Sequence, residues 1–184
     1  MGLKFLHLHL HGLIRSKNLE LGRDSDTGGQ TKYVLELVKS LANTNEVDQV
    51  DLVSRLIIDK KVDPIYSKEE EFVEPGARII RFKFGPNQYL RKELLWPYLD
   101  ELTEKLVSHY KKNNKPDWIH AHYADAGYVA ARLSDSLKIP FVFTGHSLGR
   151  EKQRKLLDTG LKTNQIEKLY FISRRIRAEE EALK

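Results

Sequence analysis

Three short segments carry the residue types and spacings from which chemistry can be built. The first is Gly22-Arg23-Asp24-Ser25-Asp26-Thr27-Gly28-Gly29-Gln30. Paired glycines at a helix start let the backbone approach a ligand closely, and the free N–H groups there favour phosphate. The same stretch also fits a glycine-rich turn with a good cap, and the residues alone leave both readings open. It is neither G-x-G-x-x-G nor a Walker A loop, which argues against NAD and P-loop chemistry. The second segment, His120-Ala121-His122-Tyr123-Ala124-Asp125-Ala126-Gly127, has histidines at i and i+2. These face one side of a strand, and His7, His9 and His11 repeat the spacing. No carboxylate-and-histidine set with metal-ligand spacing accompanies them. No metal site is therefore expected, and packing or hydrogen bonding accounts for these histidines. The third segment, Thr144-Gly145-His146-Ser147-Leu148-Gly149, sets a Gly-flanked histidine at the end of an apolar strand. Such a histidine suits a structural and a functional role equally. A Ser147/His146 nucleophilic pair is not expected, because adjacent residues seldom align for proton transfer and no G-x-S-x-G elbow is present.

Charge adds a second clue. The chain has 184 residues and a net charge of +5, from 31 Lys and Arg against 26 Asp and Glu. Residues 149–184 hold 10 basic against six acidic residues, so nearly all the excess sits there. Lys92, Lys152, Arg174 and Arg175 are either solvated helix faces or a phosphate clamp, for which guanidinium forks and ammoniums are suited. A localised excess favours a discrete anion over a nucleic-acid surface, and Glu179, Glu180 and Glu181 interrupt the basic run.

Elements that could position these segments follow from the hydrophobic pattern. Strands are expected at residues 3–10, 50–53, 78–82, 118–121 and 140–144. Helices are expected at 29–42 behind Asp26 or Thr27 as N-cap, from Trp96-Pro97 onward, at 125–137, and from Arg150 to the end. Tyr33, Val34, Leu37, Val38 and Leu41 form the apolar stripe of the first helix, and Trp96 reads as core. Residues 56–76 read as a charged loop. Strand–helix alternation predicts a Rossmann-like α/β domain, a mostly parallel sheet with helices on both faces, with ligands beyond the carboxyl ends of the strands. With no cysteine, disulfides, thiolate metal sites and Cys nucleophiles are excluded. No apolar run approaches the ~20 residues of a membrane span. A cytoplasmic location and no membrane partner are the expectation. The pattern breaks off inside a helix without a C-cap glycine, so residues 1–184 are expected to form a single, truncated domain.

Taken together, the segments resemble the sucrose-phosphate synthases. His11-Gly12-Leu13-Ile14-Arg15, the stretch Asn18 to Gln30, His122 to Gly127, Thr144 to Arg150, and Arg174-Arg175-Ile176 occur there in the same order. A similar Asp-Thr-Gly-Gly-Gln is found in sucrose synthase, but Gly-Arg-Asp-Ser-Asp and His-Ser-Leu-Gly-Arg fit the phosphate-forming family better. The resemblance implies the N-terminal, acceptor-side domain of a GT-B retaining glycosyltransferase that moves glucose from UDP-glucose to fructose 6-phosphate. It implies that Gly28 and Gly29 lie against the donor diphosphate and reacting sugars, with Gln30 near the acceptor. His146 and Gly29 would serve catalysis, His146 at the glucosyl group, and Tyr123 would line the fructose site. Lys92, Lys152, Arg174 and Arg175 would hold the 6-phosphate; which of Arg174, Arg175 and Arg177 points inward is open. No cofactor is required, and Mg2+ accompanies the UDP diphosphate without a protein site of its own. The donor-binding C-terminal domain is the missing partner, and the chain alone is expected to be inactive. The remaining alternatives are sucrose synthase, another retaining GT-B enzyme, and a non-catalytic phosphosugar-binding fragment.

Overall fold

In the computed structural model, which describes residues 2–184, alternation along the first strand decides both faces of the sheet. The elements in chain order are β1 (Leu3–Leu8), α1 (Gly29–Ala42), β2 (Val47–Arg55), β3 (Glu70–Glu74), β4 (Ala77–Phe82) and α2 (Leu99–Lys112). They continue with β5 (Trp118–His122), α3 (Ala124–Leu137), β6 (Phe141–Thr144), α4 (Gly149–Asp158), α5 (Thr163–Tyr170) and α6 (Ile172–Ala182). Leu6, Leu8 and Leu10 point to one face and are buried with Leu99, Leu102 and Leu106 of α2 and Val129, Ala130 and Leu133 of α3. Phe5 points to the other face, against Val34, Leu35 and Val38 of α1. By the same period of two, His7 and His9 share the face of Phe5. Each fully buried leucine stabilises the fold by about 1.5–3 kcal/mol, so β1 is held from both sides.

The sheet order is β3-β4-β2-β1-β5-β6. All pairs are parallel except β3–β4. The chain lays β2 and β4 to one side of β1, then crosses to lay β5 and β6 on the other. The order therefore reverses at β1 and β5, and a crevice opens beyond their carboxyl ends, where such sheets bind ligands.

Several elements differ from the sequence expectation. The segment expected as a charged loop contains β3, whose only buried residue is Val73. Its glutamates belong to an antiparallel edge strand, where charge is common and deters further pairing. The first helix is not capped by Asp26 or Thr27; Gly28 is its N-cap and no side chain caps it. Its buried stripe is Thr31, Val34, Leu35 and Val38, and Tyr33 is 48% exposed instead of packed. The Trp96-Pro97 turn is 3-10 helical, and α2 begins at Leu99. The C-terminal helical run is broken in two places. Gly160 (φ 88°) and Phe171 (φ 45°) adopt left-handed backbone that ends one helix and redirects the next.

Candidate functional site

The chain enters the crevice first through residues 9–30. Gly12 lies at φ 74°, and a Cβ there would stand 2.3 Å from the carbonyl oxygen of Asp26. Only glycine lets residues 11–13 pass so close beneath the 24–28 turn. Thr27 Oγ1 accepts from the Leu13 amide at 3.1 Å, and Asp24 Oδ1 accepts from the amides of Asp26 and Thr27 at 2.8 and 2.9 Å. The turn delivers Gly28 and Gly29 to the start of α1, with nothing within 4 Å of where their side chains would be. An uncapped start to a 14-residue helix therefore faces open space.

The second entry is from β5. Tyr123, at φ 79°, is strained by about 1–3 kcal/mol for a bulky residue. Its amide donates to Thr144 O at 2.8 Å, and its carbonyl accepts from Gly127 N at 2.9 Å, which fixes the bend. The bend turns its ring into the crevice, edge-on to His11 at 4.7 Å and beneath the Arg175 guanidinium at 4.4 Å. Burial raises its hydroxyl pKa, although Arg175 pulls the other way. Asp125 is buried at the start of α3 and pairs with His11 Nδ1 at 2.8 Å.

Cations gather around this ring. Arg175 is 3% exposed; its Nε donates to Glu179 Oε1 at 2.8 Å and its Nη2 to the Ser147 carbonyl and hydroxyl. Glu179 in turn accepts from the Gly149 amide at 2.7 Å, tying α6 to the start of α4. Lys92 forms an ion pair with the buried Asp26, and the Lys92 amide donates to the same carboxylate at 2.8 Å. Burial opposes charge on Asp26, yet the Lys92 contacts outweigh it and hold the carboxyl below its ordinary pKa. Lys152 lies 3.9 Å from the Tyr170 ring centroid and makes no ion pair among the described residues. Burial, then repulsion from Lys92 and Arg175, lowers its pKa. An open hollow of about 240 Å³ collects Gly28, Gly29, Gln30, Lys92, Tyr123 and Lys152, with Arg175 and Ser147 also in its wall. A narrower extension toward Trp96 and Tyr170 shares Lys92, Lys152 and Arg175.

His146, at φ 54°, follows Gly145 on the loop after β6. Its Nε2 lies 3.2 Å from His122 Nδ1, and its ring meets Tyr33 edge-on at 5.3 Å. Partial burial first, then His11, lowers its pKa, so the imidazole is neutral at pH 7. The Gln30 amide turns back toward the sheet, with Nε2 3.1 Å from His9 Nδ1.

Of the residues singled out in the sequence, Gly28, Gly29, Gln30, Lys92, Tyr123, Lys152 and Arg175 meet at this hollow, with His146 adjoining it through Ser147. Arg174 does not join them. It is exposed and lines a separate hollow with Arg177 and Tyr128, between α6 and α3. Helix geometry forces the separation, since neighbouring residues point about 100° apart. Sequence reading missed the acids that hold the cations. Glu179 was visible as an i+4 partner of Arg175, but Asp26 and Lys92 meet only through the fold. Two exposed arginines of α4 are paired, Arg150 with Glu180 and Arg154 with Glu151 and Asp158. Among the described residues no helix is long and apolar enough to cross a membrane.

A family model described as a glycosyl transferase 4-like domain matches residues 28–175. The chain is 45% identical to a probable sucrose-phosphate synthase 2 of Arabidopsis thaliana, over 94% of its own length and 19% of that protein's. It is also 45% identical to the sucrose-phosphate synthase of Spinacia oleracea, again over 94% of this chain and 19% of the relative. The chain thus spans about a fifth of the length of these relatives. A solved sucrose-phosphate synthase from Thermosynechococcus elongatus has a similar fold, with TM-score 0.74 and 23% identity over 98% of this chain and 40% of that one.

Proposed function

Because the chain belongs to the glycosyl transferase 4-like domain family, we propose that it is the acceptor side of a sucrose-phosphate synthase, which transfers glucose from UDP-glucose to fructose 6-phosphate. The observation that carries this reading is the meeting of Lys92, Lys152 and Arg175 around Tyr123 at the sheet's switch point. Three cations converging on one narrow recess suit the phosphate of a phosphosugar better than a neutral sugar. Among the described residues Lys152 has no carboxylate partner, so an arriving phosphate is the anion it would take. Lys92 and Arg175 already engage Asp26 and Glu179, and would share their remaining donors with the ligand.

The other end of the hollow suits the donor. The uncapped start of α1 at Gly28 and Gly29 offers backbone N–H groups to a diphosphate, and the helix dipole favours the charge that builds on departing UDP. Neutral His146 donates or accepts a hydrogen bond at the glucosyl group without adding charge. The chain's contribution to rate is then orientation of two sugars together with stabilisation of developing charge. The nucleotide itself would be gripped by a second domain. Mg2+ is assigned no protein ligand here.

The test is UDP release from UDP-glucose, with the chain alone and with the C-terminal half of a relative supplied. Turnover is expected only with both halves, and only with fructose 6-phosphate. Equal use of plain fructose would move the assignment to sucrose synthase. Turnover by the 184 residues alone would end the acceptor-side reading.

A further inference from the structure

The mechanism leaves unused a group of histidines on the α1 face of the sheet. β1 and β5 pair in parallel with His7 directly opposite His120, and the strand period places His122 on the same face. A ring nitrogen of each of the three lies within 4.8 Å of the others. The rings are close: His120 and His122 have centroids 4.1 Å apart, and His7 stacks on His122 at 5.3 Å. His7 and His122 are fully buried, whereas His120 is half-buried and gives the group a route to solvent.

We propose that His7, His120 and His122 form a binding site for a divalent first-row transition ion of the zinc type. Four observations support it. First, a nitrogen of each ring lies within 4.8 Å of the other two while two of the rings are fully buried, so a single ion can reach all three. Second, His7 Nδ1 and His122 Nε2 stand 3.0 Å apart, close to the roughly 3.3 Å separating two nitrogens on a tetrahedral ion with bonds of about 2.0–2.1 Å. Third, two of the three rings carry on their other nitrogen the outer partner that a metal-bound imidazole needs. His122 Nδ1 is 3.2 Å from His146 Nε2, and His120 Nε2 is 2.8 Å from Thr144 Oγ1. Fourth, the set holds three imidazoles and no carboxylate, which selects zinc, cobalt, nickel or copper over magnesium or calcium.

The site lies beneath the crevice, apart from the Lys92–Lys152–Arg175 recess, and rests on none of the glycosyltransfer chemistry. It touches that chemistry at one point: an ion on His122 would fix which ring nitrogen donates toward His146. Sequence spacing could not reveal the site, because His7 and His120 lie more than a hundred residues apart.

The 184-residue chain, stripped with chelator, is titrated with Zn2+ by calorimetry and with Co2+ by visible absorption. One equivalent is expected to bind, cobalt is expected to show the intense d–d bands of a tetrahedral site, and Zn2+ is expected to raise the thermal midpoint. His7→Gln and His120→Ala should each weaken binding at least ten-fold, while His109→Ala leaves it unchanged. Should the buried His7 variant fail to fold, the half-buried His120 variant carries the test. No binding by the parent chain, or equal binding by the His120 variant, overturns the proposal.

Discussion

Arg174 and Arg175 are neighbours in sequence with opposite surroundings. Arg175 is sealed between Tyr123, Ser147 and Glu179, and Arg174 faces solvent. Loss of a charge-assisted contact costs about 1.5–3 kcal/mol, or roughly 10–150-fold in affinity. Arg175→Ala should therefore weaken fructose 6-phosphate binding by that factor, and Arg174→Ala should leave it within about two-fold, as read by calorimetry. Lys152 gives a pH signature. Its pKa is lowered by burial and by Lys92 and Arg175, so it loses charge at a lower pH than a free lysine. Affinity for sulfate, which does not titrate in this range, should fall as pH rises toward 10. Lys152→Arg should delay that loss, since guanidinium stays charged. Undiminished sulfate affinity across that range would remove Lys152 from the site. His146→Ala, in a chain joined to a donor half, should lower kcat by on the order of 10²-fold if it stabilises the transition state.

At the scale of elements, the crevice depends on how closely two loops can pass. The Gly12 approach to Asp26 is the tightest, and Gly12→Ala adds left-handed strain of about 1–2 kcal/mol to an overlap costing about 1–3 kcal/mol. A loss of about 2–5 kcal/mol in urea unfolding is expected, together with weaker anion binding as the 24–28 turn shifts. Gly127 plays a different part. A Cβ there would lie 2.8 Å from Phe143 Cε2, so it sets the spacing between α3 and β6. Gly127→Ala should cost about 1–3 kcal/mol with little effect on binding, because Tyr123 is held by backbone bonds. If binding falls in step with stability, the bend at Tyr123 is less independent of α3 than these contacts imply.

At the scale of the whole molecule, the cation recess joins parts far apart in the chain. Lys92 precedes α2, Tyr123 follows β5, Lys152 lies on α4 and Arg175 on α6. A ligand that engages all of them stabilises the entire fold by mass action. At ten times its Kd the gain is about 1.4 kcal/mol, or roughly 3–6 °C in thermal midpoint for a chain of this size. Fructose 6-phosphate should produce that shift and plain fructose should not. Equal shifts from both sugars would mean that the recess does not read the phosphate.

The strand–helix order, the parallel sheet and the three loop segments were legible in the sequence because they follow from local rules. Alternating leucines in β1 and the 3.6-residue stripe of α2 needed no partner to be recognised. The edge strand Glu70–Glu74 was not legible, since only Val73 is buried and its glutamates read as loop. Tyr33 was assigned to the core by periodicity, yet α1 rotates so that Leu35 packs and Tyr33 meets His146. The sequence by itself determined which residues could bind an anion, because residue type and charge excess are local properties. The tertiary structure alone decided which of them converge. Strand order brought Lys92 to Asp26, the pitch of α6 turned Arg175 inward and Arg174 outward, and the β1–β5 register set His7 against His120. Each of those pairings depends on the path of the chain through space, a long-range quantity that no spacing along the chain encodes.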